Sequence, residues 1–111
     1  MKSLAVIPRE LARQDAEQAI DFYLSEAGPD VALAFIDALD ATYRQIDDNP
    51  GGSSPRWGHD LNLPGLRSQK LKRFPYLVFF IERADHVDVW RILHAERDIP
   101  SWLQGGEEAS I

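Results

Sequence analysis

Six consecutive apolar residues, Tyr76-Leu77-Val78-Phe79-Phe80-Ile81, place the tightest limit on what this chain can fold into. A run of that length has no face to spare for water and is short for a helix, so it reads as an interior strand covered on both sides. The stretch before it, from Arg67 through Lys70 and Lys72 to Arg73, is basic and opens after Gly65-Leu66. The stretch after it, Val87 to His94, alternates in character. Val87, Val89, Arg91 and Leu93 are expected on one face, and Asp88, Trp90, Ile92 and His94 on the other. Phe74-Pro75 and Ala84-Asp85-His86 are short enough to be hairpin links. The last third of the chain therefore predicts a basic strand, an apolar strand and a mixed strand.

The first half supplies the cover. Lys2 to Ile7 suits a short strand that stops at Pro8, a residue suited to the first turn of a helix. From Pro8 to Ala27, the positions Ala12, Ala16, Ala19, Ile20, Tyr23 and Ala27 share one helical stripe. Gly28 is a natural stop and Pro29 a natural restart. The second helix aligns Val31, Phe35, Leu39, Thr42 and Ile46, and is expected to end before Asp47-Asp48-Asn49-Pro50-Gly51-Gly52. Asn49 to Pro64 reads as a loop pinned by Trp57 and Leu61. The order strand, helix, helix, strand, strand, strand predicts an α+β domain, with an antiparallel helix hairpin packed on a small antiparallel sheet. One domain over residues 1–104 is expected, followed by a frayed tail at 105–111.

Composition narrows the function. The chain has 111 residues and no cysteine, which excludes disulfides, thiolate catalysis and cysteine zinc sites. No apolar run approaches the roughly 20 residues of a membrane span, and no signal-peptide pattern opens the chain. A cytoplasmic protein without membrane association is expected. The net charge of −6 opposes general nucleic-acid binding, because phosphate contacts supply most of that affinity. The charge is uneven, however: residues 51–73 carry five Lys or Arg against one Asp. That patch suits an acidic partner. His59, His86 and His94 lack metal-ligand spacing, and Gly51-Gly52 and Gly105-Gly106 match no nucleotide loop. No cofactor or metal is expected.

The run Arg91-Ile92-Leu93-His94-Ala95-Glu96-Arg97-Asp98-Ile99-Pro100, together with Leu66-Arg67-Ser68 and the strand from Tyr76 to Phe80, resembles the ParE branch of the RelE/ParE toxin superfamily. The likeness covers about residues 2–103. It implies the toxin of a bacterial type II toxin–antitoxin module, neutralised by a ParD-like antitoxin with a flexible segment that folds on contact. ParE-type relatives block DNA gyrase by binding; RelE-type relatives are ribosome-dependent mRNA endonucleases. The shared fold does not choose between them. An inert relative that binds its antitoxin without poisoning anything is a third alternative.

Ribonuclease chemistry needs a base, an acid and cations around the phosphate. By the resemblance, Lys72, Arg73, His94 and Arg97 would be its candidates. A C-terminal tyrosine, the remaining part of the RelE set, is missing: no Tyr follows Tyr76, and the indole of Trp102 transfers no proton. The favoured expectation is thus a gyrase inhibitor rather than an enzyme, without sequence-specific nucleic-acid binding. Arg67, Lys70, Lys72, Arg73, Arg91, His94, Arg97 and Trp102 are its candidate antitoxin or target contacts. Several carry a structural reading beside the functional one. Lysines on an edge strand discourage aggregation. Arg91 can pair internally with Glu82 or Asp88, or can anchor an antitoxin carboxylate. His94 suits a hydrogen-bonded strand end, and Asp98 a local cap. Leu24 and Leu33 fall off the helical stripes near the hairpin tip.

Overall fold

The computed structural model describes residues 5–103. Their order is β1 (Ala5–Pro8), α1 (Glu10–Ala27), α2 (Pro29–Asp48), a 3-10 turn (Pro50–Gly52), α3 (Arg56–Asp60), β2 (Leu66–Lys70), β3 (Tyr76–Glu82) and β4 (His86–His94). One more helical turn covers 99–103. The tail expected at 105–111 and the start of the first strand at residues 2–4 lie outside the described residues.

The helix hairpin is set by its joint. Gly28 sits at φ 94° and ψ 174°, a region essentially closed to residues with a Cβ. Its N–H closes α1 on the carbonyls of Tyr23 and Leu24, and Pro29 opens α2 directly behind it. Pro8 does not start α1 as expected. It ends β1, and the N–H of Arg9 still donates to Val89 O at 2.9 Å, so the helix begins two residues later, at Glu10. α2 in turn runs through Asp48, past its expected end. The stripes hold: Ala12 and Ala19 of α1 and Phe35, Leu39, Thr42 and Ile46 of α2 are buried. Ala27, at the hairpin tip, is exposed instead.

The sheet runs in the order β1-β4-β3-β2. The three C-terminal strands are antiparallel as expected, while β1 lies parallel to β4, so the sheet is mixed. β3 is interior and covered on both faces. Val78 and Phe80 pack with Phe35, Leu39 and Ile46 beneath the helices. Phe79 packs on the opposite face with Leu66, Leu93, Ile99 and Leu103.

β4 departs from its expected alternation. Phe79 faces Arg91 while Phe80 faces Val89, which leaves Trp90 as an extra residue in a β-bulge. One inserted residue reverses the parity of everything after it. Ile92 therefore joins Val87 and Val89 on the helix side, and Leu93 joins Trp90 on the other. The strand-face assignment for Leu93 and Ile92 is corrected accordingly.

The 49–64 loop contains α3, a turn of helix without a sequence periodicity to announce it. Trp57 and Leu61 do pin it, packing with Leu63 on the face opposite the long helices. Gly58 makes the close approach possible: a Cβ there would lie 2.5 Å from Leu66 O and 2.9 Å from Leu63 O. Upstream, Ser54 and Ser68 exchange backbone hydrogen bonds at 3.0 and 2.9 Å, so the outer edge of β2 is partly paired. Among the described residues, no helix is long and apolar enough to cross a membrane.

Candidate functional site

β1 stops at Pro8, but β4 runs on to His94. The outer edge of β4 beyond Val89 therefore needs other partners. α1 supplies one. Asp15 Oδ2 accepts the backbone N–H of Ile92 at 3.0 Å, and the two carboxylate oxygens take Arg91 Nε and Nη2, each at 2.8 Å. Both side chains are only 9% exposed. Arg91 Nη1 then donates to Trp102 O at 3.2 Å, tying the 99–103 turn to the same cluster. Arg91 thus pairs internally, as one reading held, but with Asp15 rather than with Glu82 or Asp88. Asp88 is gripped instead by Arg9 and Arg83, at 2.9 and 3.0 Å. Burial pushes its carboxyl up, yet the two guanidiniums outweigh that effect and hold it below the usual carboxylate range.

Beside the Asp15–Arg91 pair lies a cleft of about 610 Å³, between α1 and the adjoining ends of β3 and β4. Ala19, Phe22, Tyr23 and Ile92 give it an apolar lining, and Tyr76, His94 and Arg97 add polar groups. Phe22 is 56% exposed and packs edge-on against Tyr23. His94 Nδ1 accepts the N–H of Glu96 at 3.1 Å, and its ring stands against Tyr76 with centroids 5.2 Å apart. An accepting Nδ1 assigns the proton of the neutral ring to Nε2. The Arg97 guanidinium lies over the ring of Trp102 at 4.3 Å. Burial pushes the phenols of Tyr23 and Tyr76 up; for Tyr76, neighbouring Tyr23 adds to this and Arg97 opposes it. Both remain hydroxyl donors near neutrality, not bases.

The basic residues of 67–73 separate into two places. Arg67 donates to Ser53 O at 2.9 Å from β2, and Lys70 is exposed at the end of that strand. Lys72 and Arg73 lie beyond the strand, in the turn to β3, where Arg73 takes a left-handed φ of 69°. They line a second groove, of about 540 Å³, with Asp37, Arg44 and Asp48 of α2. The ribonuclease candidates are thus divided between two hollows: Lys72 and Arg73 in one, His94 and Arg97 in the other.

Asp15, Phe22, Tyr23 and Tyr76 were not among the expected site residues. Phe22 carried a usable signal, because a bulky aromatic lies off the buried stripe of α1. Asp15 carried none, being one acid among several on an amphipathic helix.

A family model described as the ParE toxin of the type II toxin-antitoxin system parDE matches residues 6–99. The chain belongs to the ParE toxin family. Its fold is similar to a chain in the solved structure of a chromosomal ParDE system from P. aeruginosa, with a TM-score of 0.70. The two share 22% identity over 85% of this chain and 98% of that one, a likeness that speaks for the fold alone. No curated protein matched in sequence. The Leu93-His94 and Arg97-Asp98 pairs bracket the turn between β4 and the 99–103 segment.

Proposed function

We propose that this ParE-family protein is a toxin that acts by binding, with DNA gyrase as its target, and that a ParD-like antitoxin neutralises it. Family membership supports the toxin–antitoxin setting. The observation that carries the choice of binding over catalysis is the division of the proton-transfer and cationic groups. Acid–base cleavage of RNA requires them within hydrogen-bond reach of one phosphate. Here His94 and Arg97 line the α1 cleft, and Lys72 and Arg73 line the α2 groove. In the α1 cleft, His94 has one ring nitrogen occupied and both phenols hold their protons.

The test is expression of the chain without an antitoxin, followed by growth, DNA-damage response and transcript integrity. Growth arrest with a damage response and intact transcripts is expected. Purified protein is expected to stabilise gyrase–DNA cleavage complexes and to leave ribosome-bound mRNA uncut. Cut mRNA without DNA damage would establish the endonuclease reading instead, and unimpaired growth the inert one.

A further inference from the structure

The groups in the α1 cleft are unequally satisfied. Asp15 is spent: three donors occupy its oxygens, and its charge is matched by Arg91. Arg91 is spent too, its fork filled by Asp15 and Trp102 O. Arg97 is not. Among the described residues its guanidinium meets only the face of Trp102 and has no carboxylate within ion-pair distance. His94 presents Nε2–H, and the Tyr76 hydroxyl lies on the same wall. Of the unused polar side chains of the cleft, Arg97, His94 and Tyr76 each offer a donor, Gln18 can donate or accept, and Glu96 alone is purely an acceptor; all share the cleft with the exposed ring of Phe22.

We infer that the cleft receives an acidic peptide segment of a partner protein, with one carboxylate seated on Arg97 and a neighbouring apolar side chain seated on Phe22 and Tyr23. The inference rests on the antitoxin-binding reading and makes it specific: the carboxylate anchor is Arg97, and Arg91 only holds the wall and the turn behind it. The Trp102 ring lies under the Arg97 guanidinium and restricts its motion, which leaves its edge N–H groups free for a two-pronged contact with a carboxylate. Glu96 limits how much negative charge can enter. It lines the same cleft and is exposed, so one carboxylate finds Arg97 while a polyanion also meets Glu96. This charge pattern selects a peptide over a nucleic-acid strand.

The test is selection of random twelve-residue peptides on the purified full chain, followed by affinity measurement of the winners by fluorescence anisotropy. Enrichment of an Asp or Glu within about four residues of a Leu, Ile, Phe or Trp is expected, matching one turn of helix or a short extended stretch. Arg97→Gln is expected to weaken these peptides about tenfold or more, the loss of a charge-assisted pair. Phe22→Ser is expected to weaken them about as much, and Arg44→Gln, at an exposed cation of α2 outside the cleft, to leave them unchanged. All three positions are exposed, so folding is retained and is checked by circular dichroism. Four outcomes would overturn the inference: no enrichment, enrichment of basic peptides, binding indifferent to Arg97→Gln, or displacement by a short RNA or DNA oligonucleotide at comparable concentration. The growth assay is independent of this one. A chain that poisons cells and is rescued by an antitoxin, yet selects no acidic peptide, would retain the proposed function and lose the proposed anchor.

Discussion

Asp15 shows how much one side chain can hold when a strand outruns its partner. It stands in for the missing strand at Ile92, balances Arg91, and through Arg91 restrains the 99–103 turn. Removing it leaves a buried guanidinium without a counter-charge, which costs about 3–5 kcal/mol. Asp15→Ala is therefore expected to lower Tm by more than about 10 °C in a domain of this size, read by calorimetry. The double replacement Asp15→Leu with Arg91→Met is expected to recover most of that loss, because it leaves no buried charge behind. A double variant as unstable as Asp15→Ala would locate the cost in packing instead. Asp88 gives the pH dependence. Its folded carboxyl lies below the ordinary range, so the unfolded chain takes up the proton first as pH falls. The stabilisation is complete above the usual carboxylate value and is lost as pH drops through the folded one. Asp88→Asn is expected to flatten the acid limb of stability against pH measured in urea. At the other end, burial and then Asp40 push Tyr43 up to about 12. Its contribution is intact below the ordinary phenol value and fades as pH rises through the folded one.

At the scale of elements, legibility followed the kind of signal. The hairpin of α1 and α2 could be read because Gly28-Pro29 punctuates two amphipathic stripes, both local properties. The interior place of β3 could be read because an unbroken apolar run leaves no face for water. The bulge at Trp90 could not. Val-Asp-Val-Trp-Arg-Ile-Leu-His doubles its apolar residues at Val89-Trp90 and again at Ile92-Leu93, and only the register against Phe79 and Phe80 shows that Trp90 is the extra residue. α3 was hidden for another reason. A five-residue helix containing Gly58 has neither length nor propensity, and it exists because the segment must lie against β2. The two glycines can be separated by experiment. Gly28→Ala meets nothing within 4 Å, so its expected cost of about 1–3 kcal/mol comes from backbone strain alone. Gly58→Ala drives a methyl onto two carbonyl oxygens, and a similar cost of about 1–3 kcal/mol arises from displacement of α3. Denaturant midpoints measure both. Trp57 fluorescence is expected to shift in the folded Gly58→Ala protein and to stay constant in Gly28→Ala.

Across the whole molecule, the sheet divides the core into two unequal halves, and the division bears on function. One face is covered by helices of 18 and 20 residues joined at Gly28. The other is covered by α3, the loop around Leu61 and Leu63, and the 99–103 turn. The candidate cleft draws on both sides: Phe22 and Tyr23 come from α1, while Arg97 sits in the turn leading to Ile99. This is why the site was only partly legible. His94 and Arg97 are neighbours in sequence, but the helix residues that complete the cleft are brought to them from more than 70 positions away. Short segments fastened by few apolar side chains open more readily than long packed helices. Amides of α3 and of 99–103 are thus expected to exchange with solvent through a sub-global opening, while those of α2 exchange only on global unfolding. Ile99 is 2% exposed beneath that turn. Ile99→Ala is expected to cost about 2–5 kcal/mol and to speed exchange in 99–103 and α3 well before it does so in α2. Uniform acceleration across both faces would mean instead that the sheet couples them into one cooperative unit, and the turn bearing Arg97 would then be as rigid as the helices it faces.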